Sequence, residues 1–125
     1  GAQLYLRGVR FGACGVAHVN VDGGQVHMVS GCSIVGDARY HVIVQDGVFT
    51  RQSGARLDVR CPLSMMPFAY ASGSGSRIRY QGVAIGMNGN ANAGQSYRCD
   101  GGGSIFGPAG GFPGGAGDHA GGYYA

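Results

Sequence analysis

The sequence contains no Lys, no Glu and no Trp, and only four Leu. The residues that best favour surface helices are therefore missing, which excludes a helical bundle and argues against a helix-bearing α/β enzyme. All nine basic side chains are Arg, all six acidic ones are Asp, and charged residues make up 12% of the chain. A net charge of +3, with Arg spread from Arg7 to Arg98, is too dilute for a nucleic-acid-binding face. No apolar run approaches the ~20 residues that a membrane helix needs. Without Glu, acid–base chemistry would fall to Asp or His. A GxSxG nucleophile elbow is absent, and without Lys there is no Walker P-loop. CxxC and CxxCH are absent too, so zinc-ribbon, thioredoxin-type and attached-haem sites find no support. These absences predict a protein that is not an enzyme and holds no cofactor.

What the chain does contain is Gly, 27 of 125 residues, together with Val and Tyr. Length allows one domain of ordinary size. Composition divides it near residue 100. Residues 1–100 carry 16 Gly, whereas 101–125 carry 11 and a single charge, Asp118. The expected organisation is a β domain over 1–100 and a Gly-rich extension over 101–125.

Residues 1–100 alternate apolar and polar side chains, the period of a half-buried strand. Leu4, Leu6 and Val9 mark a first strand. Ala17-His18-Val19-Asn20-Val21 and Gln25-Val26-His27-Met28 flank Asp22-Gly23, a strong hairpin signal. A two-residue turn there would set Val19 opposite Val26 and His18 opposite His27. Asp46-Gly47 repeats the signal between Tyr40–Gln45 and Val48–Gln52. About seven to nine strands joined by tight turns predict an all-β fold, an antiparallel sandwich or jelly roll. A parallel β-helix is the alternative, because Gly47-Val48-Phe49-Thr50 and Gly54-Ala55-Arg56-Leu57-Asp58-Val59 resemble rungs, although no clean repeat period is visible.

Four Cys in a small β chain read as two disulfides in an oxidising compartment. The expected pairs are Cys14–Cys32 and Cys61–Cys99, the first requiring a bulge at the hairpin base. His18 and His27, facing across the first hairpin, are the candidate metal ligands. Tyr5, Tyr40, Tyr70, Tyr80 and Tyr97 are candidates for a sugar-stacking platform.

Low charge, abundant Gly and missing catalytic motifs point to an extracellular structural protein, a self-assembling subunit of a filament, pilus-like fibre or surface layer. Residues 1–11 would add as a strand to a neighbour. The aromatic groups of 101–125 would anchor in it, offsetting the entropy of ordering so much Gly. The expected interface residues are Leu4, Leu6, Val9, Phe11, Phe106, Phe112, Tyr123 and Tyr124. The expected partner is a second copy of the chain, with a carbohydrate or cell-surface ligand as the runner-up. A secreted carbohydrate- or surface-ligand-binding module is thus the second functional reading, and a viral capsid or decoration protein the third.

Overall fold

The computed structural model describes residues 3–125. Residues 1 and 2 of the expected intersubunit strand lie outside the described residues. The described chain has no helix and winds through coils of three short strands each. The first coil is β1 (Gln3–Leu6), β2 (Arg10–Phe11) and β3 (Ala17–Asp22). The second is β4 (Gln25–Met28), β5 (Cys32–Ile34) and β6 (Tyr40–Gln45). The third is β7 (Val48–Arg51), β8 (Arg56–Val59) and β9 (Ala69–Ser72). The fourth is β10 (Arg77–Arg79), β11 (Ala84–Gly86) and β12 (Tyr97–Asp100), followed by β13 (Ser104–Phe106) and β14 (Tyr123–Tyr124).

Like strands of successive coils stack. Sheet A runs β1-β4-β7-β10-β13-β14, sheet B β11-β8-β5-β2 and sheet C β12-β9-β6-β3. Every strand pair is parallel. The molecule is a three-faced parallel β-solenoid. The all-β expectation stands, but the antiparallel sandwich gives way to the alternative, the parallel β-helix.

The correction has a local cause. Asp22-Gly23 and Asp46-Gly47 do form tight turns, with Gly23 at φ 67° and Asp46 at φ 59°. These turns lead from sheet C into sheet A rather than back along the same sheet. Val19 therefore lies beside Val42, and Val26 beside Leu4 and Phe49. Period-two alternation survives because each strand still has one face inside and one in solvent.

The interior is built from in-register ladders. Sheet A contributes Leu4, Val26, Phe49, Ile78, Ile105 and Tyr124, one per strand. Sheet C contributes Val21, Val44, Ala71 and Cys99, and sheet B contributes Cys32, Leu57 and Ile85. In the third coil the small Ala69 and Ala71 share the interior with the fully buried Phe49 and Phe68. Residues 101–125 continue the solenoid. They add β13 and β14 to sheet A, and single bridges from Gly115 to Gln95 and Asp118 to Arg98 extend sheet C.

Successive sheet A partners are Gln3, Gln25, Val48, Arg77, Ser104 and Tyr123, so the coils span 22, 23, 29, 27 and 19 residues. The two longest coils carry extended connections from sheet B to sheet C, over residues 60–68 and 87–96. At these corners coils press backbone on backbone. A Cβ on Gly94 would overlap the carbonyl oxygen of Met65, which has no freedom to withdraw. Gly12 has nothing within 4 Å and no strained φ. Gly94→Ala is expected to cost about 1–3 kcal/mol by overpacking, and Gly12→Ala to stay within about 0.5 kcal/mol. Urea melts of the two variants check this.

Candidate functional site

A solenoid ends where its ladders end. At the N-terminal end Leu4 takes the first inward position of sheet A, yet it is 56% exposed, against 9% for Leu6 on the same strand. Beside it lies a hollow of about 480 Å³ bordered by Gln3, Leu4, Val21, Gln25 and Val26. Val16 and Tyr5 are also exposed at this end. At the other end Tyr124 closes the ladder, its ring stacked on Tyr97 with centroids 3.8 Å apart and planes 8° apart. Tyr123 points out and is 56% exposed.

The backbone gives each end a polarity. Leu6 O accepts from Val29 N at 3.0 Å, Gly24 O from Val48 N at 3.0 Å, and Gly103 O from Tyr123 N at 2.9 Å. In sheet A, residues in register with the inward positions aim their amide and carbonyl at the following coil. Residues at outward positions aim theirs at the preceding coil. By the same alternation Tyr124 aims its N–H and C=O at the free edge of β14. Gln3 and Tyr5 aim theirs at the free edge of β1. Parallel ladders seat one residue between two residues of its partner, so these edges carry complementary groups.

The expected interface residues therefore separate. Leu4 and Tyr123 are exposed at opposite ends. Leu6, Phe11 and Phe112 are not free for a neighbour, because each is buried in the chain's own core. Phe112 packs on Phe68 and Tyr80, with centroids 5.7 and 5.2 Å away. Val9 and Tyr124 pack against that core, and Phe106 lies near Tyr123 on the outer face at 5.8 Å.

The histidines are rearranged as well. His18 and His27 lie on different sheets, because the Asp22-Gly23 turn carries the chain from one face to another. They do not form the expected pair, and the described residues contain no group of three His, Cys, Asp or Glu placed to hold a metal. His27 lies on the outside of sheet A, stacked on Tyr5 at 4.8 Å. His18 turns inward and meets His41, Nδ1 to Nδ1, at 3.1 Å. The sequence pattern missed this pair because it depends on stacking of the first two coils.

His41 is fully buried, and its Nε2 lies 3.0 Å from the Tyr80 hydroxyl. Its amide and that of Val42 both bond to Phe68 O, at 2.9 and 3.1 Å. This irregularity lets two successive residues face the interior. If Tyr80 donates to His41 Nε2, then His41 Nδ1–H donates to His18 Nδ1. Only the His18 Nε2–H is left without a partner, in agreement with the orphaned buried His18 Nε2. The opposite tautomers strand both the Tyr80 proton and the His18 Nε2 lone pair. Burial, reinforced by His18, pushes His41 well below the usual imidazole range. Burial also lowers His18, opposed by the Gly36 and Gly12 carbonyls and by Asp37. Both rings are neutral at pH 7.

The four cysteines are free thiols, not two disulfides. Cys14 is exposed at a corner of the first coil, and Cys32 is buried in sheet B, with its thiol 3.5 Å from Ser30 O. Cys61 follows β8, and Cys99 lies inside sheet C, where its thiol donates to Tyr123 O at 3.2 Å. The expected Cys14–Cys32 pairing rested on a hairpin that does not form. Burial pushes the Cys99 thiol up to about 11.

The tyrosines make no common platform. Tyr80 is fully buried and Tyr97 stacks inside. Tyr5 lies on sheet A, while Tyr40 and Tyr70 meet edge-on outside sheet C at 5.8 Å. Among the described residues no helix is long and apolar enough to cross a membrane. No family model matches the chain, and neither a curated protein nor a solved structure matches it.

Proposed function

We propose that this protein is a structural subunit that assembles head to tail, the first coil of one copy stacking on the last sheet A strand of the next. The observation that carries this reading is the match between the two edges of sheet A that no described strand covers. Tyr124 of one copy would sit between Gln3 and Tyr5 of its neighbour. Leu4 would then follow Tyr124 in the inward ladder and lose its exposure. Such a joint relates the end of one copy to the start of the next, and repeats along an axis without closing.

Sheet A runs two strands, β13 and β14, beyond sheets B and C at the C-terminal end, so the joint lies on one face. A joint this small gives concentration-dependent assembly. The extracellular assignment drew on cysteine pairing, and four free thiols withdraw that support. What is proposed is the mode of assembly.

Negative-stain electron microscopy across a concentration series tests it. The expected result is thin fibres at high concentration, with a subunit rise of roughly 29 Å from six strands spaced about 4.8 Å apart. Dispersed particles at every concentration would refute the proposal.

A further inference from the structure

The outer face of sheet A has a composition unlike the other two. None of its six strands contains an acidic residue. The ion pairs among the described residues lie elsewhere, Arg56–Asp58 on sheet B and Arg98–Asp100 on sheet C. In the middle of sheet A, β10 presents Arg77 and Arg79 on the outside, flanking the inward Ile78. Arg77 is exposed and Arg79 half-buried. Neither has an ion-pair partner among the described residues.

Ring systems bracket this strand. On the N-terminal side His27 stacks on Tyr5 with planes 14° apart, and its Nε2 donates to Gln25 Oε1 at 3.2 Å. On the C-terminal side are Phe106 and Tyr123. The other outward ladder positions near the two Arg are Gln3, Gln25, Thr50 and Ser104, which carry amides and hydroxyls, and the half-buried Val48 beside Arg77. The face thus offers two guanidinium forks roughly 7 Å apart along one strand, flat rings at both ends and neutral hydrogen-bonding groups.

We propose that this face binds an acidic polysaccharide. Guanidinium groups donate bidentately to carboxylates. Rings stack on sugar faces, and amides and hydroxyls bond to sugar hydroxyls. A nucleic-acid strand fits less well, because phosphate-backbone affinity scales with the number of cations engaged and this face supplies few. The two Arg lie on β10, in the middle of sheet A, and Tyr5 and Tyr123 project outward from the terminal strands β1 and β14 rather than along their edges, so binding does not depend on assembly.

The test is fluorescence anisotropy with labelled polygalacturonate at low ionic strength, at protein concentrations where the chain is dispersed. The wild-type chain is expected to bind, and added salt to weaken binding. The R77A/R79A double variant is expected to bind at least tenfold more weakly. Arg77→Gln alone, at an exposed position, is expected to weaken binding about threefold while keeping the wild-type circular dichroism spectrum. Arg56→Ala on sheet B serves as the control and is expected to bind like wild type. Three results would overturn the proposal: no binding of polygalacturonate (whether or not oligo(dT) binds), equal loss in R56A and R77A/R79A, or R77A/R79A binding as tightly as the wild type.

Discussion

Leu4→Asp leaves the isolated chain folded and weakens end-to-end assembly at least ~100-fold. In the single chain the Leu4 side chain is more than half exposed, so the substitution removes little buried surface. A change at such a position stays within about 0.5 kcal/mol. In the assembled joint the same position falls between Val26 of its own copy and Tyr124 of the neighbour. A carboxylate there would be desolvated without a partner, at a cost of several kcal/mol. The concentration needed for fibres should rise at least 100-fold, about 2.7 kcal/mol, while the thermal midpoint moves by only a few degrees. Tyr5→Pro approaches the same joint through the backbone. It deletes an amide aimed at the free edge and spares the bonds from β1 to β4, a position where strands tolerate Pro. Val16→Asp is the control, because Val16 is 60% exposed but lies off sheet A. Sedimentation of the three variants over a concentration series reads the effect. Unchanged assembly of Leu4→Asp would place the joint elsewhere.

Much of the interior could be read from the residues. Leu4 and Leu6, Val19 and Val21, and Val26 and Met28 alternate as half-buried strands must, and they line the core or its open end. Asp22-Gly23 and Asp46-Gly47 were legible as tight turns. Strand direction was not, because a hairpin and a solenoid corner use the same left-handed turn residues and the same alternation. The choice is made by which strands pair, and that depends on partners about a coil away. Unequal connections over 60–68 and 87–96 conceal the regular coil length that would have revealed them. The same gap misplaced the functional candidates. His18 was set opposite His27 by a hairpin register, whereas the coil register brings it to His41. Phe112 was expected in a neighbour because Gly-rich composition suggests a separate extension. In the fold those glycines are corners, and Phe112 fills the chain's own core. Leu4 and Tyr123 are both exposed on terminal strands, but only the first of those strands was legible, because Tyr123 was read as an anchor in a Gly-rich extension and not as part of a strand.

Acidification from pH 7 to pH 5 should destabilise the protein steeply, and the buried pair His18–His41 is the source. His41 is enclosed by Phe11, Phe68, Tyr80 and His18, none of which can balance a positive charge. His18 has Asp37 and the Gly12 and Gly36 carbonyls nearby, so its depression is partly offset. The unfolded chain takes up protons on both rings below about pH 6.5, while the fold holds them neutral. Protons then bind the unfolded state preferentially, and stability falls as pH falls. Each such ring contributes a slope of up to about 1.4 kcal/mol per pH unit, until the pH reaches its lowered folded value. Asp100 adds a loss of the same sign, but in a separate window. The Tyr70 hydroxyl, 2.6 Å away, holds its carboxyl below the ordinary range, and that contribution is lost only as pH falls below about 3.8. His41→Phe keeps a ring in the cavity and removes its titration. At pH 7.5 it should be less stable by about 1–3 kcal/mol, because the Tyr80 hydroxyl loses its partner. Between pH 7 and pH 5 its stability should fall no more than half as steeply as that of the wild type. Urea melts at half-unit pH intervals measure both slopes. A wild-type slope that is flat across this range would contradict the enclosed histidine pair.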